Sequence, residues 1–134
     1  MTAKLLWEIG ASLQIVIAIA HLFGTLYSQL LYPKDKNLIE QMKITILNVD
    51  KKATQWNAWI FFNLAFALCL LIVGVFSFVL AYQHFYIIKG LTILSSTMII
   101  CSLLMVFFAQ KLAIRKVRTA FLLITALYFI SIFL

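Results

Sequence analysis

Residues 56–81, WNAWIFFNLAFALCLLIVGVFSFVLA, form an unbroken apolar run of 26 residues without a charge. A bilayer core is about 30 Å thick, and a helix crosses it with about 20 apolar residues. This run is long enough to span. Outward from it the pattern repeats. Residues 5–31 lie before it, and residues 85–109 and 114–134 after it, each dominated by Leu, Ile, Phe, Val and Ala. The four runs predict an all-α integral membrane protein, an antiparallel four-helix bundle forming one transmembrane domain over residues 1–134.

Composition agrees. Of the 134 residues, 65% are hydrophobic and 11% are charged. Soluble domains carry roughly 45–50% apolar and about 25% charged residues. The first run reads as a retained helix rather than a cleavable signal, because it is long and contains Glu8, Gln14 and His21.

Four crossings place both termini and the second loop on one side, with the first and third loops on the other. The termini side carries Lys4 and Lys89. The other side carries Lys34, Lys36, Lys43, Lys51, Lys52, Lys111, Arg115, Lys116 and Arg118. The positive-inside rule puts the cation-rich loops in the cytoplasm and both termini outside. The net charge of +7 is therefore a membrane-border feature and not a nucleic-acid signal. Trp7, Tyr82 and Tyr86 are expected in the outer aromatic belt, and Tyr32, Trp56 and Trp59 in the inner one.

Two loops have character. In the first, Leu38, Ile39, Met42, Ile46 and Val49 recur at helical spacing, which predicts a short amphipathic helix over residues 37–50 in the cytoplasmic interface. It reads as a membrane-surface spacer or as a lid over the bundle mouth. The second loop is expected as a tight turn at Tyr82, Gln83 and His84.

Chemistry is sparse. In helix one, Gly10, Gln14, His21, Thr25 and Ser28 share a stripe. Polar groups in hydrocarbon lack water, so the stripe must face protein or a polar cleft. It reads either as packing glue or as a site. Counting from the first loop puts Asn63 of helix two about as deep as His21, with Trp56 two turns nearer the border. Gln14, His21, Thr25, Trp56 and Asn63 are thus the candidate ligand-binding or interhelical polar cluster. Thr92, Ser95, Ser96 and Ser102 on helix three and Thr125, Tyr128 and Ser131 on helix four extend the polar surface, and together they could line a small polar cleft. Glu8 is placed to pair with Lys4 near the outer border. Cys69 and Cys101 read as apolar fillers, since no CxxC motif is present and a thiolate is disfavoured in hydrocarbon.

No cofactor, metal or catalytic group is expected. His21 and His84 lie at different depths and cannot share a haem iron. No His, Cys and carboxylate cluster forms. A dithiol quinone-reductase mechanism lacks its CxxC, and a small multidrug exporter would need a carboxylate deeper than Glu8. The segment Ala20-His21-Leu22-Phe23-Gly24-Thr25, followed by Ala53-Thr54-Gln55-Trp56-Asn57 at the start of helix two, resembles small bacterial four-helix membrane proteins of uncharacterised function. That group's pattern carries a second His where Thr25 stands here and an acid where Asn57 stands. The resemblance implies a bacterial inner-membrane location and no activity. Two functions remain: an accessory subunit packed against another membrane protein or a further copy of itself, and a binder or transporter of a lipid, quinone or small amphiphile between helices one and two.

Overall fold

The computed structural model describes residues 1–134, all helical apart from connections and one isolated bridge. The elements are α1 (Thr2–Leu26), α2 (Lys36–Ile44), α3 (Gln55–Gly90), α4 (Thr92–Lys111) and α5 (Arg115–Phe133). Four of them, α1, α3, α4 and α5, are long and apolar enough to cross a membrane.

What is buried explains how the helices pack. Six of the eleven buried apolar residues are alanines: Ala3, Ala11, Ala18, Ala67, Ala81 and Ala109. Gln14, Thr25, Ser77, Ser95, Ser102, Thr125 and Ser131 are buried with them. Small residues let backbones approach, which is how helices associate where lipid is as apolar as leucine. They recur at seven-residue intervals, as Ala11-Ala18-Thr25 in α1, Ala67-Gly74-Ala81 in α3 and Ser95-Ser102-Ala109 in α4. A seven-residue repeat keeps one face of a helix toward its neighbours. Many of the large apolar side chains point the other way: Phe62, Ile72 and Ile93 are all more than 60% exposed. Such an exterior suits a bilayer and not water.

The chain forms two compact units, Met1–Ile15 with Ile72–Leu134, and Val16–Leu71. In the first, the start of α1, the end of α3, α4 and α5 pack together. Ala3 meets Ser131, Trp7 meets Ser77 and Tyr128, and Gly74 meets Ala11 and Ile15. The α4–α5 hairpin is closed by Ala113, whose left-handed φ of 59° lets Ile114 N–H return to the Ala109 carbonyl at 2.8 Å. In the second unit the end of α1 packs on the start of α3, and the first loop runs between them.

Four expectations need correction. Helix α1 stops at Leu26 and not at residue 31. There Ser28 N–H bonds the Phe23 carbonyl at 3.1 Å, Gln29 turns left-handed at φ 53°, and Leu31 folds back over Gly24. The second connection is longer than a tight turn at residues 82–84. Helix α3 is two helical pieces kinked at His84, at φ −140° and ψ 46°, so the break expected there is present, but a short helical piece follows to Gly90 before the chain breaks again at Leu91. Ile88, 1% exposed, holds that piece against the protein. The amphipathic segment is helical only over Lys36–Ile44. Thr45 is extended, and a bridge from Ile46 to Thr54 folds the rest into a small hairpin, with Leu47 N–H on the Ala53 carbonyl at 2.9 Å. Trp7 does not belong to an aromatic belt, being 1% exposed.

Candidate functional site

His21 lies in the α1 segment of the second unit. Its Nε2 lies 3.0 Å from Oδ1 of Asn63, across the α1–α3 contact. The Asn63 Nδ2 donates to the Trp59 carbonyl at 2.8 Å, one turn back in α3. That bond fixes which way the amide faces, and Oδ1 only accepts, so His21 Nε2 is the donor in this contact. Phe66 packs edge-on to the imidazole with centroids 5.2 Å apart.

The other candidates join this pair unequally. Thr25 donates its hydroxyl to the His21 carbonyl at 2.8 Å, a bond within α1 that satisfies a hydroxyl without reaching a neighbour. Trp56 stacks on Trp59 at 5.2 Å and 15°, and Tyr32 stands edge-on to both. A chain of contacts thus runs from His21 through Asn63 to Trp59 and the aromatic trio. Gln14 falls in the other unit, where its Oε1 accepts from the Tyr128 hydroxyl at 3.3 Å. The five residues do not converge on one point.

A second buried polar group lies in the first unit. Trp7 Nε1–H donates to Ser77 Oγ at 2.8 Å, Ser77 also reaches Tyr128, and Tyr128 donates to Gln14. Trp7 and Tyr128 face each other with ring centroids 4.4 Å apart. Gly10 makes room for this, since a Cβ there would lie 2.8 Å from Tyr128 Cε1. Trp7, Ser77, Tyr128 and Gln14 are each at most 5% exposed. Sequence reading placed Trp7 in the belt and Tyr128 along a cleft. The available signal was the spacing of Ala3, Trp7, Ala11 and Ala18, which puts Trp7 on the small-residue face.

Charge is confined to the ends. Lys4 Nζ donates to the Tyr82 carbonyl at 2.7 Å and stands 3.6 Å from Glu8 Oε1, so the carboxylate is held by a cation one turn away. A concavity of about 460 Å³ lies between the first-loop hairpin and α3, against Leu47, Val49, Ala53, Asn57, Phe61 and Phe62. At 100° per residue these α3 positions point away from Asn63. A second one, of about 220 Å³, lies at the α4–α5 turn. No three His, Cys, Asp or Glu side chains come together to hold a metal, and Cys69 and Cys101 are free and exposed.

Comparison with known proteins finds no matching family model, no matching curated protein and no matching solved structure.

Proposed function

We propose that this chain is an accessory subunit of a bacterial inner membrane, an antiparallel four-helix bundle packed through its apolar exterior against another membrane protein. The observation that carries the reading is the fate of the polar stripe on α1. Three of its members bond inside the chain, His21 to Asn63, Gln14 to Tyr128 and Thr25 to its own helix, while the Ser28 hydroxyl is buried without a partner. A stripe used mostly in this way serves the chain's own packing and displays little to a ligand. Both termini lie outside and the first and third loops in the cytoplasm, a sidedness that rests on the distribution of the eleven Lys and Arg residues. Residues 36–44 lie along the cytoplasmic interface, where none of the helix is buried in protein.

A second reading, a lipid or quinone held beside His21, draws on one observation. His21 is only half-buried, and the bond to Asn63 engages its Nε2. Extraction in polymer-bounded membrane patches, followed by mass measurement, separates the two. Accessory function predicts a second chain in fixed stoichiometry, cross-linked by photoreactive residues at Ile100 or Leu104 of α4. The chain alone, carrying one non-protein molecule that a change at His21 removes, refutes it.

A further inference from the structure

The α4–α5 turn concentrates cations with nothing to neutralise them. Lys111, Arg115, Lys116 and Arg118 fall within eight residues, and the last acidic residue of the chain is Asp50. The ion pairs of the structure are Lys4–Glu8 and Lys43–Glu40, both elsewhere. The turn is also concave. Ala109, Gln110, Ala113, Arg115 and Arg118 surround about 220 Å³. The two alanines leave the space, and the left-handed backbone at Ala113 brings Arg115 across from Gln110.

Arg118 is held in place and incompletely used. Its Nη1 donates to Gln110 Oε1, which fixes the guanidinium plane. Its Nε is buried without a hydrogen-bond partner in the protein. A buried donor of this kind is normally matched. The first turn of α5 adds to the deficit, since its N-cap is Ile114 and no side chain caps it. Uncapped helix starts leave amide N–H groups facing outward. Every unmet group here is a donor, and the local charge is positive.

We infer that this turn is a binding site for the phosphodiester of an anionic phospholipid. The guanidinium fork matches the tetrahedral oxygens of a phosphate, and an uncapped helix start favours an anion. Depth selects a lipid over a dissolved anion. Leu112 and Ile114, 65% and 46% exposed, flank the cations and give acyl chains an apolar surface beside the headgroup. Basic pockets between helices at a membrane border are where such headgroups lodge. The site is separate from the His21 region and stands whether or not the chain has a protein partner.

The test uses the full chain in phosphatidylcholine nanodiscs with added phosphatidylglycerol, and reads by native mass spectrometry the lipid that survives release. One phosphatidylglycerol is retained by the wild type. The pair Arg115→Gln with Arg118→Gln lowers its preference over phosphatidylcholine about thirtyfold, from the usual contribution of two surface cations. Arg118→Lys keeps the charge, loses the fork and weakens retention. Arg115→Gln alone, at an exposed position, weakens it without a change in thermal unfolding. The pair Lys51→Gln with Lys52→Gln removes the same charge from the first loop and leaves retention intact. Equal losses from both pairs, or no preference for phosphatidylglycerol, overturn the site. Displacement by millimolar inorganic phosphate overturns the lipid assignment in favour of a soluble anion.

Discussion

At Gly74 the backbone of α3 approaches α1 closely in the first unit, and its replacement by alanine has a calculable outcome. A Cβ at this position would lie 2.9 Å from Ile15 Cγ1, 3.3 Å from Ile15 N and 3.5 Å from the Ala11 carbonyl oxygen. Two of those atoms are backbone and cannot swing away. The third is the first branch of a β-branched side chain, which a helix holds in one rotamer. The helices must therefore part, or Ile15 must leave its well. Overpacking of this kind costs about 1–3 kcal/mol. Alanine recovers about 1 kcal/mol of helix propensity over glycine. The expected net loss is about 1 kcal/mol for Gly74→Ala, rising steeply for Gly74→Leu. Gly90 is the internal comparison, because nothing lies within 4 Å of its Cβ direction. Gly90→Ala is expected to be neutral or slightly stabilising. Reversible unfolding in bicelles by steric trapping measures both. A Gly74→Ala protein as stable as the wild type, or more so, refutes the close approach and with it the small-residue account of the packing.

Three further outcomes follow from the same geometry. Trp7→Phe and Ser77→Ala, combined in a double-mutant cycle, should show a coupling of about 0.6 kcal/mol, and no more than about 1.7 kcal/mol, for the Trp7–Ser77 bond; zero coupling removes that bond from the account. His21→Leu strands the Asn63 amide and should lower stability by about 1 kcal/mol while leaving any co-purifying chain in place; loss of that chain with an intact fold would move function to His21. Reporter fusions at Leu134 should be active outside the cytoplasm and fusions after Lys43 inside, and a cytoplasmic C-terminus would invert the proposed sidedness.

The spanning helices were legible because hydrocarbon thickness imposes a length that sequence displays directly. The His21–Asn63 contact was legible for a related reason: both residues count their depth from the same loop. Trp7 was not. Its residue type favours an interface, and its partner Ser77 is 70 residues away, so nothing local distinguishes a belt tryptophan from a buried one. The end of α1 was hidden because Gln29 adopts the left-handed turn usually signalled by glycine, while the visible breaker, Pro33, lies beyond it. The first loop misled by coincidence. Ile46 and Val49 continue the spacing of Leu38, Ile39 and Met42, yet they sit in a hairpin tied by backbone bonds that side-chain periodicity does not report.

The interior of this protein inverts the usual arrangement, and that bears on where function resides. Large apolar side chains gain little by turning inward when the alternative is lipid, so specificity falls to close backbone approach and to side-chain bonds. The first unit is rich in both. It has Gly10 and Gly74 at contact distance, and bonds from Trp7 to Ser77, Tyr128 to Gln14, Thr125 to Ser102 and Ser131 to the Ala3 carbonyl. In Val16–Leu71 the bond between α1 and α3 side chains is His21 to Asn63, and both residues are only half-buried. Regions with fewer such constraints open at lower free energy, and adaptable elements are drawn from them. The helix ends around His21, with the first loop between them, are therefore the part of the chain that a partner or ligand would reshape most cheaply, while the Trp7–Tyr128 core keeps the other helices in register.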